Sequence, residues 1–179
     1  MEIGLLVLRL VLGSVMIAHG AQKLFGWFGG YGIAGTGGWL ASMGFRPARG
    51  QAVLVGLSEF GGGLLLALGL LTPLGAAAVI GVMIVAIATV HWTNGFFNTS
   101  GGYEFNYLIL GTALALALMG PGKLSVDHAL GLGLNGLNWG TGALALALIG
   151  SSVTLASRRP QPQPAAAETA EEEEHARAA

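Results

Sequence analysis

Five apolar runs recur along the chain, and short segments rich in glycine and polar residues separate them. A helix that crosses a bilayer needs about 20 mostly apolar residues, because the hydrocarbon core is about 30 Å thick. By this criterion the pattern predicts membrane-spanning helices at residues 3–25, 51–71, 74–90, 103–119 and 139–156.

The last of these runs, residues 139–156, is near the lower length limit for a span and is interrupted by serine and threonine. We interpret it as a fifth span because Arg158-Arg159 closes it as a cytoplasmic anchor would. The alternative is a peripheral amphipathic helix. The loop at residues 26–50 carries several aromatic residues of the kind found at headgroup level, and we expect a short interfacial helix near residues 36–43.

Composition supports a membrane location. Of 179 residues, 53% are hydrophobic and 9% are charged, whereas soluble domains are about 25% charged. The fold class is therefore all-α, a polytopic membrane helix bundle. We divide the chain into a four-helix domain (1–132), a fifth span (133–158) and a tail (159–179) rich in Pro, Ala and Glu, which we expect to be disordered.

Charge and cysteine content exclude several function classes. The net charge is −1 and there is no basic stripe, so nucleic acid is not an expected partner. The absence of cysteine excludes disulfides, thiolate metal sites and a catalytic thiol in this chain.

The distribution of lysine and arginine predicts the orientation. With five spans, Arg46, Arg49, Arg158 and Arg159 lie on one side and Lys123 lies on the other. Because lysine and arginine are enriched on the cytoplasmic side, we expect a multi-pass inner (plasma) membrane protein with its C-terminal tail in the cytoplasm.

Polar side chains converge at one end of the predicted bundle. Antiparallel folding of the spans places them in the same half of the membrane: Lys23, His19, Glu59, His91, Glu104 and Asn106. Glu59 lies eight residues into its run, roughly 12 Å deep, and an ionisable residue at that depth is a functional candidate. We expect Lys23 to pair with it. The simpler alternatives are a snorkelling Lys23, a Glu104 that favours a helix N-terminus, and an ion pair that only holds helices together.

A second charge on the first span lies near the opposite membrane face. Arg9 is about 21 Å along the helix axis from Lys23. Asp127 follows the fourth span on that same side, so we expect Arg9 and Asp127 to form a structural ion pair.

No self-contained catalytic centre is predicted. His19, Glu59, His91 and Glu104 carry suitable donor atoms, but their spacing matches no metal motif, so no metal site is expected. There is no nucleophile elbow and no haem motif. At most, the chain would be one subunit of a membrane oxidoreductase.

Several short motifs occur in a fixed order: His19-Gly20-x-x-Lys23-Leu24-Phe25-Gly26, Gly44-Phe45-Arg46-Pro47, Glu59-x-x-Gly62-Gly63, Leu68-Gly69-Leu70-Leu71-Thr72-Pro73, His91-Trp92-x-Asn94-Gly95-Phe96, Gly101-Gly102-Tyr103-Glu104-Phe105-Asn106 and Gly120-Pro121-Gly122-Lys123-Leu124-Ser125-Val126-Asp127. Together they resemble the DoxX family of small bacterial membrane proteins over residues 5–132. One departure is Lys123-Leu124, where an Arg-Tyr pair is common.

The resemblance implies a four-helix core, to which some members add a C-terminal helix. The family takes its name from a subunit of a thiosulfate:quinone oxidoreductase, and other members are associated with redox and oxidative-stress complexes. It therefore implies a subunit or scaffold of a membrane redox or oxidative-stress assembly, in the lipid bilayer, with redox partner proteins and with quinone reached through a partner. The residues leave two alternatives open: a small-molecule or proton-coupled transporter that uses the polar cluster, and a bundle whose polar pairs are purely structural.

Overall fold

The computed structural model describes residues 1–159, and within that range the chain is helical with no strand. The helices are α1 (Glu2–Phe25), α2 (Gly32–Ser42), α3 (Ala48–Leu68), α4 (Thr72–Ala86), α5 (Glu104–Met119), α6 (Val126–Ala129) and α7 (Leu137–Ala156). This confirms the all-α membrane bundle. The tail expected at residues 159–179 lies outside the described residues, apart from Arg159.

Four helical segments are long and apolar enough to cross a membrane: Glu2–Phe25, Ala48–Leu68, Thr72–Asn94 and Leu137–Ala156. The predicted span at 103–119 differs. It forms α5, whose 16 residues extend only about 24 Å and fall short of the usual span. The weakest run of the sequence, by contrast, forms the 20-residue helix α7.

The closest helix packing joins α1 to α3, which run antiparallel. Their backbones meet at Gly13 and Gly63, where a Cβ on Gly13 would lie 2.6 Å from the Gly63 carbonyl oxygen. Small residues permit such close approach, which is how helices associate in lipid, where the hydrophobic effect is absent. This contact fixes the relative depth of the polar side chains on α1 and α3.

The helix α4 is central, because it packs against α3, α5 and α7. Its buried residues Val79, Ile80 and Met83 join Met16 of α1 and Leu116 of α5 in one apolar core. The helix α7 contributes small residues to this core, among them Ala143 and Ala147. The helix α7 is therefore packed into the bundle and is not a peripheral helix.

Two details of the chain path shape the candidate site. The interfacial helix expected near residues 36–43 is longer and begins earlier, as α2, and it packs against α1 and α3. In addition, α4 does not end as an ordinary α-helix, since Ile87–His91 form a π-helical turn and Trp92–Asn94 a 3-10 turn.

Candidate functional site

Lys23 and Glu59 form an ion pair between α1 and α3. The Lys23 Nζ lies 2.5 Å from the Glu59 Oε2, and the side chains are 22% and 5% exposed, respectively. It is the only pair of opposite side-chain charges within 4 Å among residues 1–159. Lys23 lies in the last turn of α1, so the close packing of α1 on α3 brings its ammonium group to the depth of Glu59.

The ion pair lines a cavity of about 280 Å³. Five of the six residues grouped from the sequence line it, and these are His19, Lys23, Glu59, His91 and Asn106. Most of the remaining wall is apolar. A largely apolar cavity with a few convergent polar groups is the usual form of a small-molecule site. We call this space the Glu59 cavity.

The polar groups around the ion pair are each held by a different contact. The His19 ring lies 6.4 Å from the Phe105 ring. The Asn106 side-chain amide donates to the Met83 Sδ at 3.4 Å, and a thioether is a weak acceptor. The His91 Nδ1 lies 2.7 Å from the Gly101 carbonyl oxygen. A carbonyl can only accept, so Nδ1 carries a proton and donates it to this oxygen.

Glu104 is the exception among the six, because it does not line the cavity. Its Oε2 accepts a hydrogen bond of 2.9 Å from the Asn98 backbone N–H. Glu104 is exposed and stands in the first turn of α5, where a carboxylate favours the helix N-terminus. Its grouping with the cavity residues was wrong, since it organises the loop before α5.

Other cavity residues were missed from the sequence. Trp39, Met43 and Phe45 reach the cavity from α2 and the loop after it, although the aromatic pattern had indicated only a headgroup location. Thr89 and Val90 line it from the π-helical turn of α4. Such turns recur at functional sites. The hydrophobic pattern does not mark this one, because the predicted apolar run extends to Val90 with only Thr89 interrupting the turn.

The prediction that Arg9 and Asp127 form an ion pair is wrong, because each side chain binds other groups. Both side chains are fully buried on the expected side of the bundle, yet they form no ion pair within 4 Å. The Arg9 Nη2 donates to the Leu124 carbonyl oxygen. Its Nε and Nη1 have no hydrogen-bond acceptor within residues 1–159.

Asp127 binds the beginning of α4 instead. Its carboxylate accepts hydrogen bonds from the Leu71 N–H at 2.7 Å, the Thr72 N–H at 3.0 Å and the Thr72 hydroxyl at 2.8 Å. The first N–H groups of a helix lack partners in the helix and carry a partial positive charge, so they compete well for a carboxylate. Arg9 and Asp127 do not line the Glu59 cavity.

The histidine and carboxylate side chains do not form a metal-binding cluster in the described part of the chain. Residues 1–159 contain no group of three or more His, Asp and Glu side chains that could hold a metal ion. Glu59 is already paired with Lys23, and the His91 Nδ1 already faces a backbone carbonyl. The chemistry available in the cavity is therefore that of hydrogen bonding, proton exchange and charge.

Known proteins resemble this chain over most of their length. The DoxX family model matches residues 4–92. "Putative oxidoreductase CatD" of Bacillus subtilis (strain 168) is 33% identical over 126 residues, which are 70% of this chain and 86% of the relative. "Inner membrane protein YqjF" of Escherichia coli (strain K12) is 32% identical over 129 residues, which are 72% of this chain and 93% of the relative. No solved structure gives a significant match. With its membrane helices and these matches, the chain belongs to the DoxX family.

Proposed function

We propose that this protein is a membrane subunit of a redox assembly and that it binds a small organic redox molecule in the Glu59 cavity. The observation that carries the proposal is the cavity itself, in which a buried ion pair, a histidine and an amide face one space among apolar walls. A purely structural ion pair would need no such space beside it.

The redox part of the proposal draws on the relative from Bacillus subtilis, which is named as an oxidoreductase. This chain has no cysteine, and its described residues contain no metal cluster. Electrons would therefore pass through a partner protein or a bound organic carrier. The relative from Escherichia coli, named as an inner membrane protein, supports the same membrane for this chain.

The lining of the cavity fits a quinone headgroup. Lys23 and Asn106 supply donors for carbonyl oxygens, and Trp39 and Phe105 supply flat apolar surfaces for a ring. A bound quinone would supply two-electron chemistry coupled to protons. The chain's part would be to hold the headgroup, to exclude bulk water from it and to keep charge near its oxygens.

Quinone binding can be measured with the full-length protein in lipid nanodiscs. Decylubiquinone and menadione are titrated while the fluorescence of Trp39 and the other tryptophans is recorded. We expect saturable quenching that is lost when Ala86→Phe fills the cavity and is kept in Leu57→Ala, which alters a residue of α3 that is 55% exposed. Quenching that never saturates and is equal in all three proteins would contradict the proposal.

The assembly itself requires a separate measurement. The tagged protein is cross-linked in membranes, solubilised in mild detergent and purified, and the co-purifying proteins are identified. We expect a flavoprotein, iron–sulfur protein or thiol oxidoreductase in stable stoichiometric amounts. Recovery of the chain without any stable partner would contradict the redox-subunit proposal while leaving small-molecule binding intact.

A proton-coupled transporter is the second candidate, because Glu59, His19 and His91 line the same space. A transporter must expose that space to each side of the membrane in turn. The chain lacks cysteine, so a single Thr89→Cys variant can be labelled with an impermeant maleimide from either side. Labelling from both sides would favour transport, whereas labelling from one side or neither would favour a binding subunit.

We also propose the orientation with the C-terminal tail in the cytoplasm, and the domain limits 1–132 and 133–158. The support is the position of Arg46, Arg49, Arg158 and Arg159 at one end of the helices. Two reporters fused separately after Ala179 test it: one that is active only in the cytoplasm and one that is active only in the periplasm. Activity of the periplasmic reporter alone would reverse the orientation.

A further inference from the structure

A second cavity, of about 250 Å³, lies among α3, α4 and α7 and has no part in the ion-pair chemistry. Its lining is largely apolar, and small residues of α4 and α7 form much of it, including Ala78, Gly81 and Gly150. The lining residues span about 16 Å of α4, from Leu74 to Val85, so this is an elongated groove in the membrane-spanning part of the bundle. We call it the α3–α7 groove.

At one end of the helices four arginines come together. The end of α7 is joined to the loop before α3, because the Arg159 N–H donates to the Gly44 carbonyl at 2.8 Å and the Arg158 Nε donates to the Met43 carbonyl at 3.1 Å. Arg46 and Arg49 occupy that loop and the start of α3. All four side chains are exposed, and none is paired with a carboxylate within residues 1–159.

The groove ends at these arginines. Phe45 lines the groove, and the Arg158 guanidinium lies 5.4 Å from the centre of its ring. Gln51 also lines the groove, and its side-chain amide donates to the Ser157 hydroxyl at 3.1 Å, one residue before Arg158. The apolar α3–α7 groove therefore ends beside exposed guanidinium groups at the membrane surface.

We infer that this groove and arginine cluster form a binding site for an anionic phospholipid. One acyl chain lies in the α3–α7 groove, and the phosphate is held by Arg46 and Arg158, with Arg49 and Arg159 nearby. Guanidinium groups bind phosphate oxygens in a bidentate manner, and basic clusters at the membrane surface attract anionic lipid. A free phosphate ion would use the arginines but would leave the apolar groove without a role.

The site borders the Glu59 cavity. Leu40, Phe45, Val55, Val82 and Val85 line both spaces, so each of them separates the acyl chain from the ion-pair cavity. A lipid in the groove supports that wall from the bilayer side. The inference does not depend on what the Glu59 cavity binds.

Native mass spectrometry of the full-length protein in detergent measures lipid binding directly. Phosphatidylglycerol and phosphatidylcholine with the same acyl chains are titrated separately. We expect phosphatidylglycerol to bind at least tenfold more tightly, since each arginine near a membrane surface contributes about a factor of five toward anionic lipid and at least two arginines contact the phosphate. Inorganic phosphate should not displace it. Equal affinity for the two lipids would overturn the inference.

Variants separate the headgroup site from the groove. Arg46→Gln/Arg49→Gln leaves the contacts of Arg158 intact and should remove most of the preference for phosphatidylglycerol, whereas Arg46→Lys/Arg49→Lys should keep most of it. Gly81→Leu fills the groove and should weaken binding of both lipids. Lys123→Gln, on the opposite side, is the matched charge control and should change nothing. A preference that survives both the glutamine pair and the groove filling would refute the site.

Two other occupants are tested by the same measurements. The chain's own glutamates, Glu171 to Glu174, could bind the arginines in place of lipid. If phosphatidylglycerol binding is undetectable in the wild type and appears only when these glutamates are replaced by glutamine, the tail is the occupant and the inference fails. A second copy of the chain on the groove would appear as a dimer that phosphatidylglycerol disrupts, and it would likewise overturn the lipid site.

Discussion

The helix α1 carries a charged side chain towards each of its ends, Arg9 fully buried and Lys23 half-buried, and the surroundings of the two charges differ. Towards the C-terminal end, Lys23 pairs with Glu59 beside a cavity. Towards the N-terminal end, Arg9 donates to a backbone carbonyl, and its neighbour Asp127 binds the start of α4. Charge burial alone therefore does not identify a site. The cavity at one end separates a candidate function from a structural connection.

Close packing around Arg9 supports the structural assignment. Gly69 has a φ of +62°, and a Cβ there would meet Arg9 Nη1 and lie 2.6 Å from the Ser125 Cβ. The Gly69 carbonyl also accepts the Asp127 N–H at 2.8 Å. These contacts join three parts of the chain: α1, the turn between α3 and α4, and the connector that follows α5. If this end stabilises the fold and the other end binds a ligand, substitutions at the two ends should have different effects.

The largest expected effect is that of Asp127→Ala. The substitution leaves the Leu71 N–H, the Thr72 N–H and the Thr72 hydroxyl without their buried acceptor. We expect a loss of about 3 kcal/mol of folding free energy, typical of breaking a buried charged network. Thermal unfolding in detergent and protein abundance in the membrane would measure it. The exposed neighbour His128→Ala is the control, and an equal loss in both would contradict the assignment.

Gly69→Ala should come next. An alanine at this left-handed backbone position is strained, and its methyl group would displace the Arg9 guanidinium. We expect a loss of about 2 kcal/mol. The matched control is Gly61→Ala in the same helix region, where a Cβ would meet nothing within 4 Å. Unfolding midpoints should fall for the first variant and stay level or rise for the second. Equal shifts of the unfolding midpoint in the two variants would contradict a stabilising role for the packing around Arg9.

At the cavity end, Glu59→Gln leaves the Lys23 ammonium beside a neutral amide. We expect a loss of about 1–3 kcal/mol, with the double variant Lys23→Met/Glu59→Gln recovering most of it, because a buried ion pair can be replaced by neutral groups with little cost. Ligand binding should nevertheless be lost in both variants. If the double variant regains stability and still binds quinone as the wild type does, the ion pair is structural.

The smallest effect on stability is expected at the cavity rim. His91→Asn replaces the contact with the Gly101 carbonyl, and because His91 is partly exposed the loss should stay below about 1 kcal/mol. Binding should weaken several-fold, since the ring lines the cavity. Binding and unfolding of His91→Asn would be compared with those of Thr99→Ala, which alters an exposed residue that does not line the cavity. A stability loss as large as that of Asp127→Ala would reverse the comparison between the two ends.

Much of the fold was predictable because hydrophobic length and antiparallel folding set the depth of each residue. That reasoning grouped Lys23 and Glu59 correctly in space and placed Arg9 near Asp127. It failed where backbone groups decide the partner. The apolar pattern does not show that the Leu124 carbonyl accepts from Arg9, or that the N–H groups of Leu71 and Thr72 outcompete a guanidinium for Asp127.

The cavity also could not be predicted from the hydrophobic pattern of the sequence. A cavity is formed by the way several helices pack against one another. Here part of its wall is Trp39 of α2. The shortness of α5, by contrast, was visible in the sequence, because the predicted run at 103–119 holds only 17 residues and the helix lacks only Tyr103 of them.

The π-helical turn at Ile87–His91 has one more consequence for this protein. Such a turn holds one residue more than an α-helical turn, so every residue beyond it is rotated by about 100° from where a regular helix would place it. His91 therefore faces the cavity and the Gly101 carbonyl through a local register offset in α4. The direction in which this histidine points therefore depends on the π-helical turn that follows α4, independently of the hydrophobicity of its residues.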